Sequence, residues 1–339
     1  MDIKRPLAPA ALALAATLAL VGCGSQPADG NGTSGSPAAS ATSAAPTSVT
    51  IEDNRGSHTV EVPPTSVAAF DNRTFETLSD WGVTLSVAAV SLMPATIAYT
   101  QDDSIVDVGT HNEPNLELIV AADPDVVIIG QRFTQFYDDI AALVPDATLI
   151  ELDPRDGEPF ADELKRQVTV LGEVFSKQAE AQQLVDDYDA AMARVKAAYD
   201  PAQTAMAVNV SGGEIGFIAP GQGRTLGPVF TDAGLTPALE VEESSTNHEG
   251  DEISVEAIAA SNPEWILVMD RSAAVDADNP DFKPAAEIIE ATDALRNVPA
   301  IQKGQVVYMP ADTYTNEGIQ TYTEFLNDFA DALEAAKQG

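Results

Sequence analysis

The stretch NLELIVAADPDVVIIGQR at residues 115–132 returns, altered but in register, as SVEAIAASNPEWILVMDR at residues 254–271. Glu117, Pro124 and Arg132 correspond to Glu256, Pro263 and Arg271, each displaced by 139 positions. Leu116, Ile119 and Val120 lie at helical spacing, as do Val255, Ile258 and Ala259. Asp-Pro and Asn-Pro then stop the helix, because proline lacks an N–H and restricts the residue before it. The apolar runs VVII and WILV suit strands buried on both faces of a parallel sheet. The phrase therefore encodes a short helix, a tight turn, a buried strand and an arginine just past the strand's carboxyl end. Ligands of open α/β sheets bind outside that end. Arg132 or Arg271 alone would be read as merely solvating a strand end; the repetition makes both candidate ligand residues.

The same rhythm extends outward. SVTIEDNRGSHTVEVPP reads as a β-hairpin turning at residues 54–57, with His58 in its turn. SVAAFD, LSVAAVS, DVVIIG and ATLIEL are short strand candidates, separated by helical stretches such as RTFETLSDWG with its glycine stop. Residues 158–199 form the longest helical stretch, with a break expected at Gly172. Its second half is long enough to span ~30 Å at 1.5 Å per residue. Beyond Pro201 the strands TAMAVNV, EIGFIAP, WILVMD and QVVYMP follow, and a last helix over residues 318–337 closes the chain. Alternating strands and helices imply the α/β class. The expected architecture is two lobes, each a mainly parallel sheet flanked by helices, joined by a single long α-helix. The N-terminal lobe takes residues 49–175, the joining helix 176–199 and the C-terminal lobe 200–339.

The first 22 residues read as an export signal. Lys4 and Arg5 form its basic start, and residues 7–21 form an apolar run shorter than the ~20 residues a spanning helix needs. The run closes on LVGC, which resembles a bacterial lipobox, with Cys23 as the lipidated residue. Cys23 is the only cysteine, so no disulfide forms within the chain. Residues 23–48 are rich in Ser, Ala, Gly, Thr and Pro and read as a flexible tether with a reach of roughly 25–30 Å. The formal charge is −36, and removing the signal, which carries Asp2, Lys4 and Arg5, leaves −37. Such a chain is not expected to bind nucleic acid or anionic lipid non-specifically. With only 17 Lys and Arg in all, any group of arginines stands out.

PGQGRTLG holds Gly221, Gly223 and Gly227 but lacks the G-x-G-x-x-G spacing of a dinucleotide loop. It reads better as a loop that presents Arg224 to a ligand, with a plain turn as the alternative. The three histidines, His58, His111 and His248, are scattered, which speaks against a dedicated zinc site. His111 could lie near a cleft between the lobes. No nucleophile elbow or H-E-x-x-H appears, and Ser244 and Ser245 near His248 lack an acidic partner, so a secreted hydrolase is the weaker reading. Tyr314, in YMPADTYTNEG, follows a strand on its carboxyl side. If it faced His248, the pair would offer a phenolate oxygen and an imidazole nitrogen to Fe³⁺.

Taken together, the lipobox, the two lobes, EPNLELIVAADPDVVIIGQRF, GQGRTLG, HEGDEISVEAIAASNPEWILVMDR and YMPADTY resemble the class III periplasmic binding proteins of iron–siderophore ABC importers, in particular those for ferric catecholates. The resemblance covers nearly all of residues 49–337. It implies a binding protein, not an enzyme, that is a monomer with no intrinsic cofactor. It would capture a ferric siderophore in the cleft and pass it to ABC permease subunits, while its lipid holds it on the extracytoplasmic face of the cell membrane. It further implies that Arg132, Arg224 and Arg271 hold the anionic catecholates. His248 and Tyr314 would be conditional Fe³⁺ ligands, and Glu117 and Glu256 would dock one lobe each on the permease. The loop PADTYTNEG, which carries Tyr314, is only loosely similar to the family pattern. A haem or corrinoid binder of the same fold is the alternative.

Overall fold

The repeated phrase builds an interior strand of each of two sheets. The computed structural model describes residues 47–241 and 244–338. The export signal, Cys23 and most of the expected tether lie outside the described residues.

A hairpin of β1 (Ser48–Glu52) and β2 (Ser57–Glu61) opens the described chain. Then β3 (Val67–Phe70), β4 (Val87–Ala88), β5 (Val106–Asp107), β6 (Val126–Ile129) and β7 (Thr148–Glu151) form a wholly parallel sheet in the order β5-β4-β3-β6-β7. The second sheet uses β8 (Thr204–Ser211), β9 (Glu214–Ile218), β10 (Thr236–Pro237), β11 (Trp265–Asp270) and β12 (Val306–Tyr308). Its order is β10-β8-β11-β12, all parallel, with β9 folded back antiparallel on β8. The helices are α1 (Phe75–Asp80), α2 (Glu117–Ala122), α3 (Tyr137–Leu143), α4 (Phe160–Val174), α5 (Gln178–Ala198) and α6 (Gly227–Ala233). They continue with α7 (Val255–Ser261), α8 (Arg271–Val275), α9 (Ala285–Ala291), α10 (Pro299–Gln302) and α11 (Ile319–Ala336). Among the described residues no helix is long and apolar enough to cross a membrane.

The two copies of the phrase fold alike in detail. Helix α2 ends on Asp123 at φ 44 and α7 on Asn262 at φ 55, both left-handed and both directly before the proline. The residue after each proline then donates its N–H to the start of the neighbouring strand, Asp125 to the Ser66 carbonyl and Glu264 to the Thr204 carbonyl, each at 2.9 Å. Strand β6 is buried at every residue, and β11 at all but the last. That is why both runs are apolar throughout and show no alternation.

Two sets of side chains from the second sheet separate by parity. Ala205, Ala207, Leu267 and Met269 pack with α5 and α11, whereas Met206, Val208, Ile266 and Val268 pack with Ile258 of α7 and Ile289 of α9. This is the period of two of a pleated strand.

Helix α5 has 21 residues, about 31 Å of length. Its Ala181 belongs to the core of the first sheet, and Tyr188, Met192 and Val195 to that of the second. Helix α4 runs alongside and bridges in the reverse sense. Its Leu164 and Val168 join the second core, and Leu171 and Val174 join the first. The break expected at Gly172 falls later, at Ser176, whose φ is 56. Gly172 stays inside α4 because a Cβ there would stand 2.7 Å from the Ala181 Cβ, so its role is close helix packing. His58 is likewise in β2, not in the turn, with its Nε2 3.0 Å from Asp53 Oδ1.

Candidate functional site

The carboxyl ends of the sheets deliver the arginines. Arg132 lies in a 3-10 segment (Gln131–Phe136) directly after β6 and Gly130. Gly130 is required there, because a Cβ would come within 2.6 Å of Asp71 Oδ2. Arg271 is the first residue of α8. Asp270 fixes that turn by accepting the Ala273 N–H at 2.9 Å and the Ala285 N–H at 2.7 Å. Arg224 lies between β9 and α6, where Gly223 packs so closely that a Cβ would reach 2.6 Å from the Ala219 nitrogen. Tyr314 follows β12 in a short 3-10 turn (Thr313–Thr315) and is 8% exposed.

These four side chains converge. The guanidinium carbons of Arg132, Arg224 and Arg271 lie 4.9, 5.1 and 4.8 Å from the centroid of the Tyr314 ring. Each contact of this kind is worth about 0.5–2 kcal/mol. No two of the cations can then be more than about 10 Å apart, and at an effective dielectric near 20 each pair repels by at least roughly 1.7 kcal/mol. The site is therefore short of negative charge. Burial raises the Tyr314 phenol, but the guanidinium groups of Arg271, Arg132 and Arg224 outweigh it and hold the phenol below its ordinary value. The exposed His248 ring stands 6.3 Å from the Tyr314 ring, centroid to centroid. All five ligand residues expected from the sequence thus meet at one place.

Several partners had no signal in the sequence. Glu317, 1% exposed, accepts Arg224 Nε at 3.2 Å and Thr225 Oγ1 at 2.6 Å on Oε1. Its Oε2 accepts Arg224 Nη2 at 2.6 Å and Gln131 Nε2 at 2.7 Å, with Arg73 Nη2 at 3.7 Å. Burial pushes Glu317 up, but the charges of Arg224 and Arg73 and the hydrogen bonds from Arg224 and Thr225 bring it down to about 2. Burial would lower Arg224, and Glu317 lifts it above its ordinary value instead. Arg132 Nη1 donates to Asn72 Oδ1 and Gln131 Oε1, both at 3.1 Å. Asn72 Nδ2 reaches the Thr315 carbonyl at 2.9 Å, so the two lobes meet through side-chain-to-backbone bonds at the site's edge. Arg73 donates to Asp153 Oδ1 at 3.1 Å. His111 is half-buried, with an unpartnered Nδ1, and burial followed by the charge of Arg132 holds it below its ordinary value. A cavity of about 810 Å³ opens beside Arg271, between the residues 211–216 and 247–255.

Among the described residues no group of three or more His, Cys, Asp or Glu could hold a metal ion. Glu117 and Glu256 are exposed in the first turns of α2 and α7.

A profile of the periplasmic binding protein family matches residues 67–313. The petrobactin-binding protein YclQ of Bacillus subtilis is 24% identical over 84% of this chain and 88% of its own length. The ferric-anguibactin-binding protein FatB of Vibrio anguillarum is 29% identical over 79% of this chain and 81% of its own. The structure of the periplasmic catecholate-siderophore binding protein VctP of Vibrio cholerae shares the fold, with a TM-score of 0.72, covering 83% of this chain and 99% of that one at 22% identity.

Proposed function

Because this chain belongs to the periplasmic binding protein family, we propose that it captures a ferric siderophore of the catecholate type and delivers it to an ABC permease. The observation that carries this reading is the set of three guanidinium groups within 5.1 Å of one phenol ring in a chain of formal charge −36. A ferric catecholate is an anion with flat aromatic rings. Guanidinium groups donate in a planar fork and stack on such rings. The long-range field of so acidic a chain repels the ligand, so the attraction is local and falls on Arg132, Arg224 and Arg271. The proteins YclQ and FatB, named for petrobactin and ferric anguibactin, support a ferric siderophore as the ligand.

In this reading the family fold works as a binding device, not an enzyme. The lobes are residues 49–175 and 200–339, with residues 176–199 between them. His248 and Tyr314 complete the iron coordination of a siderophore that offers too few donors. Cys23 carries the lipid that holds the protein at the extracytoplasmic face of the membrane, and Glu117 and Glu256 dock the permease. The test is a fluorescence-quenching screen of the purified protein with iron-loaded catecholates, iron-loaded hydroxamates, haem and cobalamin. Saturable quenching by the ferric catecholates, with weaker or no response to the rest, is expected. Tighter binding of haem or cobalamin would overturn the reading.

A further inference from the structure

Three cations face one ring, yet one of them is already neutralised. We propose that Glu317 sets the charge of the ligand this site accepts, by cancelling Arg224 and leaving a surplus of two positive charges. The proposal rests on the reading of the site as a ferric-siderophore site.

The geometry makes Glu317 more than a passive neighbour. It is nearly sealed from solvent and gives both oxygens to Arg224, at 3.2 and 2.6 Å. A bidentate pair of this kind is strong and fixes orientation. The remaining lone pairs take Thr225 from the same lobe and Gln131 from the other. Arg73 also approaches at 3.7 Å, but its charge is matched by Asp153. Arg132 and Arg271 meet no carboxylate among the described residues: the former bonds to Asn72, Gln131 and the Tyr314 carbonyl, the latter to Ser211, and both approach the Tyr314 phenol. The uncompensated charge of the site is therefore that of two guanidinium groups.

Attraction to a fixed positive site grows in proportion to ligand charge, while the cost of taking the ligand out of water grows about as its square. The favoured ligand charge thus follows the surplus of the site. A ferric bis-catecholate is a monoanion with two open coordination positions. When the Tyr314 oxygen bonds to the iron, its phenol proton leaves to solvent and one further negative charge enters the site. Two negative charges then meet two positive ones. A trianionic ferric tris-catecholate brings more charge than the surplus matches and offers no open position to Tyr314. The structure thus assigns Glu317 as a specificity-determining residue that favours the tetradentate class.

The test compares wild type with Glu317→Gln, Glu317→Asp, Arg224→Gln and the double variant Arg224→Gln with Glu317→Gln. Each is titrated with a ferric bis-catecholate and a ferric tris-catecholate. Glu317→Gln should move the affinity ratio toward the trianion by at least about tenfold, and Arg224→Gln should move it the other way. Glu317→Asp and the double variant, whose surplus equals that of the wild type, should keep the wild-type ratio. If the ratio instead follows the loss of contacts, so that the double variant departs from wild type as far as either single one, the proposal is overturned. If wild type binds neither ferric complex, the siderophore reading fails. If wild type binds both and the ratio does not move in folded Glu317→Gln, the proposal is overturned and the siderophore reading stands.

Discussion

Asp71 is wholly buried and faces Asp153, Arg73 and Glu317, with Gln167 Nε2 donating to it at 3.1 Å and the Arg73 N–H at 2.9 Å. Burial, then the charge of Asp153, pushes its carboxyl up from 3.8 to about 7 against the pull of Arg73. The folded protein therefore holds this proton more tightly than the unfolded chain. The contribution of Asp71 to stability is full below pH 3.8 and is lost as pH rises towards 7. Asp71→Asn should raise stability at pH 8 by about 1–3 kcal/mol and change little at pH 4, as read by thermal melts at the two pH values. A gain that does not shrink on acidification would mean the carboxyl is ionised throughout. At the ligand face, Tyr314→Phe should abolish the tyrosinate-to-iron charge-transfer band of a tetradentate complex and weaken its binding. His248→Ala should weaken the same complex, and a hexadentate complex should be indifferent to both. Intact colour and affinity in both variants would remove these two residues from the coordination sphere. Arg132 and Arg271 were legible from their shared offset, and Arg224 from its glycine loop. Glu317 was not. An acid in YTNEG looks like any loop carboxylate, and only the tertiary fold brings Arg73, Gln131 and Arg224 to it from residues distant in sequence.

The helix–proline–strand unit was the most legible element, because its signals are local. Proline dictates the stop, and a fully apolar run dictates a strand buried on both faces. Less legible was how each helix ends. Asp123 and Asn262 adopt left-handed φ of 44 and 55, a conformation that disfavours most L-residues but suits Asn, Asp and above all Gly. Replacing either by Gly should be neutral or stabilise by up to about 1 kcal/mol, whereas Ala should cost about 1 kcal/mol, in denaturant unfolding. Equal effects of Gly and Ala would show that the backbone relaxes out of this conformation. Strand β9 and helix α4 mark the other limit. An apolar run such as EIGFI carries no sign of strand direction, so its antiparallel pairing with β8 comes from the short Gly212–Gly213 connection, both at positive φ. The bridging role of α4 depends on which of its residues meet which core, and that is a property of the packed molecule. Gly172 shows the same thing: in sequence a glycine reads as a breaker, and in the fold it lets α4 close on Ala181.

Two sheets of the same plan, each with an arginine past the carboxyl end of its phrase strand, give a molecule whose halves can act on one ligand and on one partner. The proposed ligand end is the cluster around Tyr314. At the other end of each copy an exposed glutamate begins the helix, Glu117 in α2 and Glu256 in α7. The helix macrodipole alone favours an acid in a first turn, at about 0.3–1 kcal/mol, so a single glutamate there asks for no further explanation. The pair is different in kind. A two-lobed protein that docks on a two-subunit permease needs one contact per lobe, and duplication supplies two at matching positions. The two roles are separable, because neither glutamate takes part in the contacts around Tyr314. Glu117→Lys combined with Glu256→Lys should therefore leave ferric-siderophore affinity within about twofold and abolish uptake by cells, since like charges would face each other at both contacts. Each single reversal should lower uptake without ending it. Uptake at the wild-type rate by the double variant, with binding intact, would show that the two acids serve only their helices.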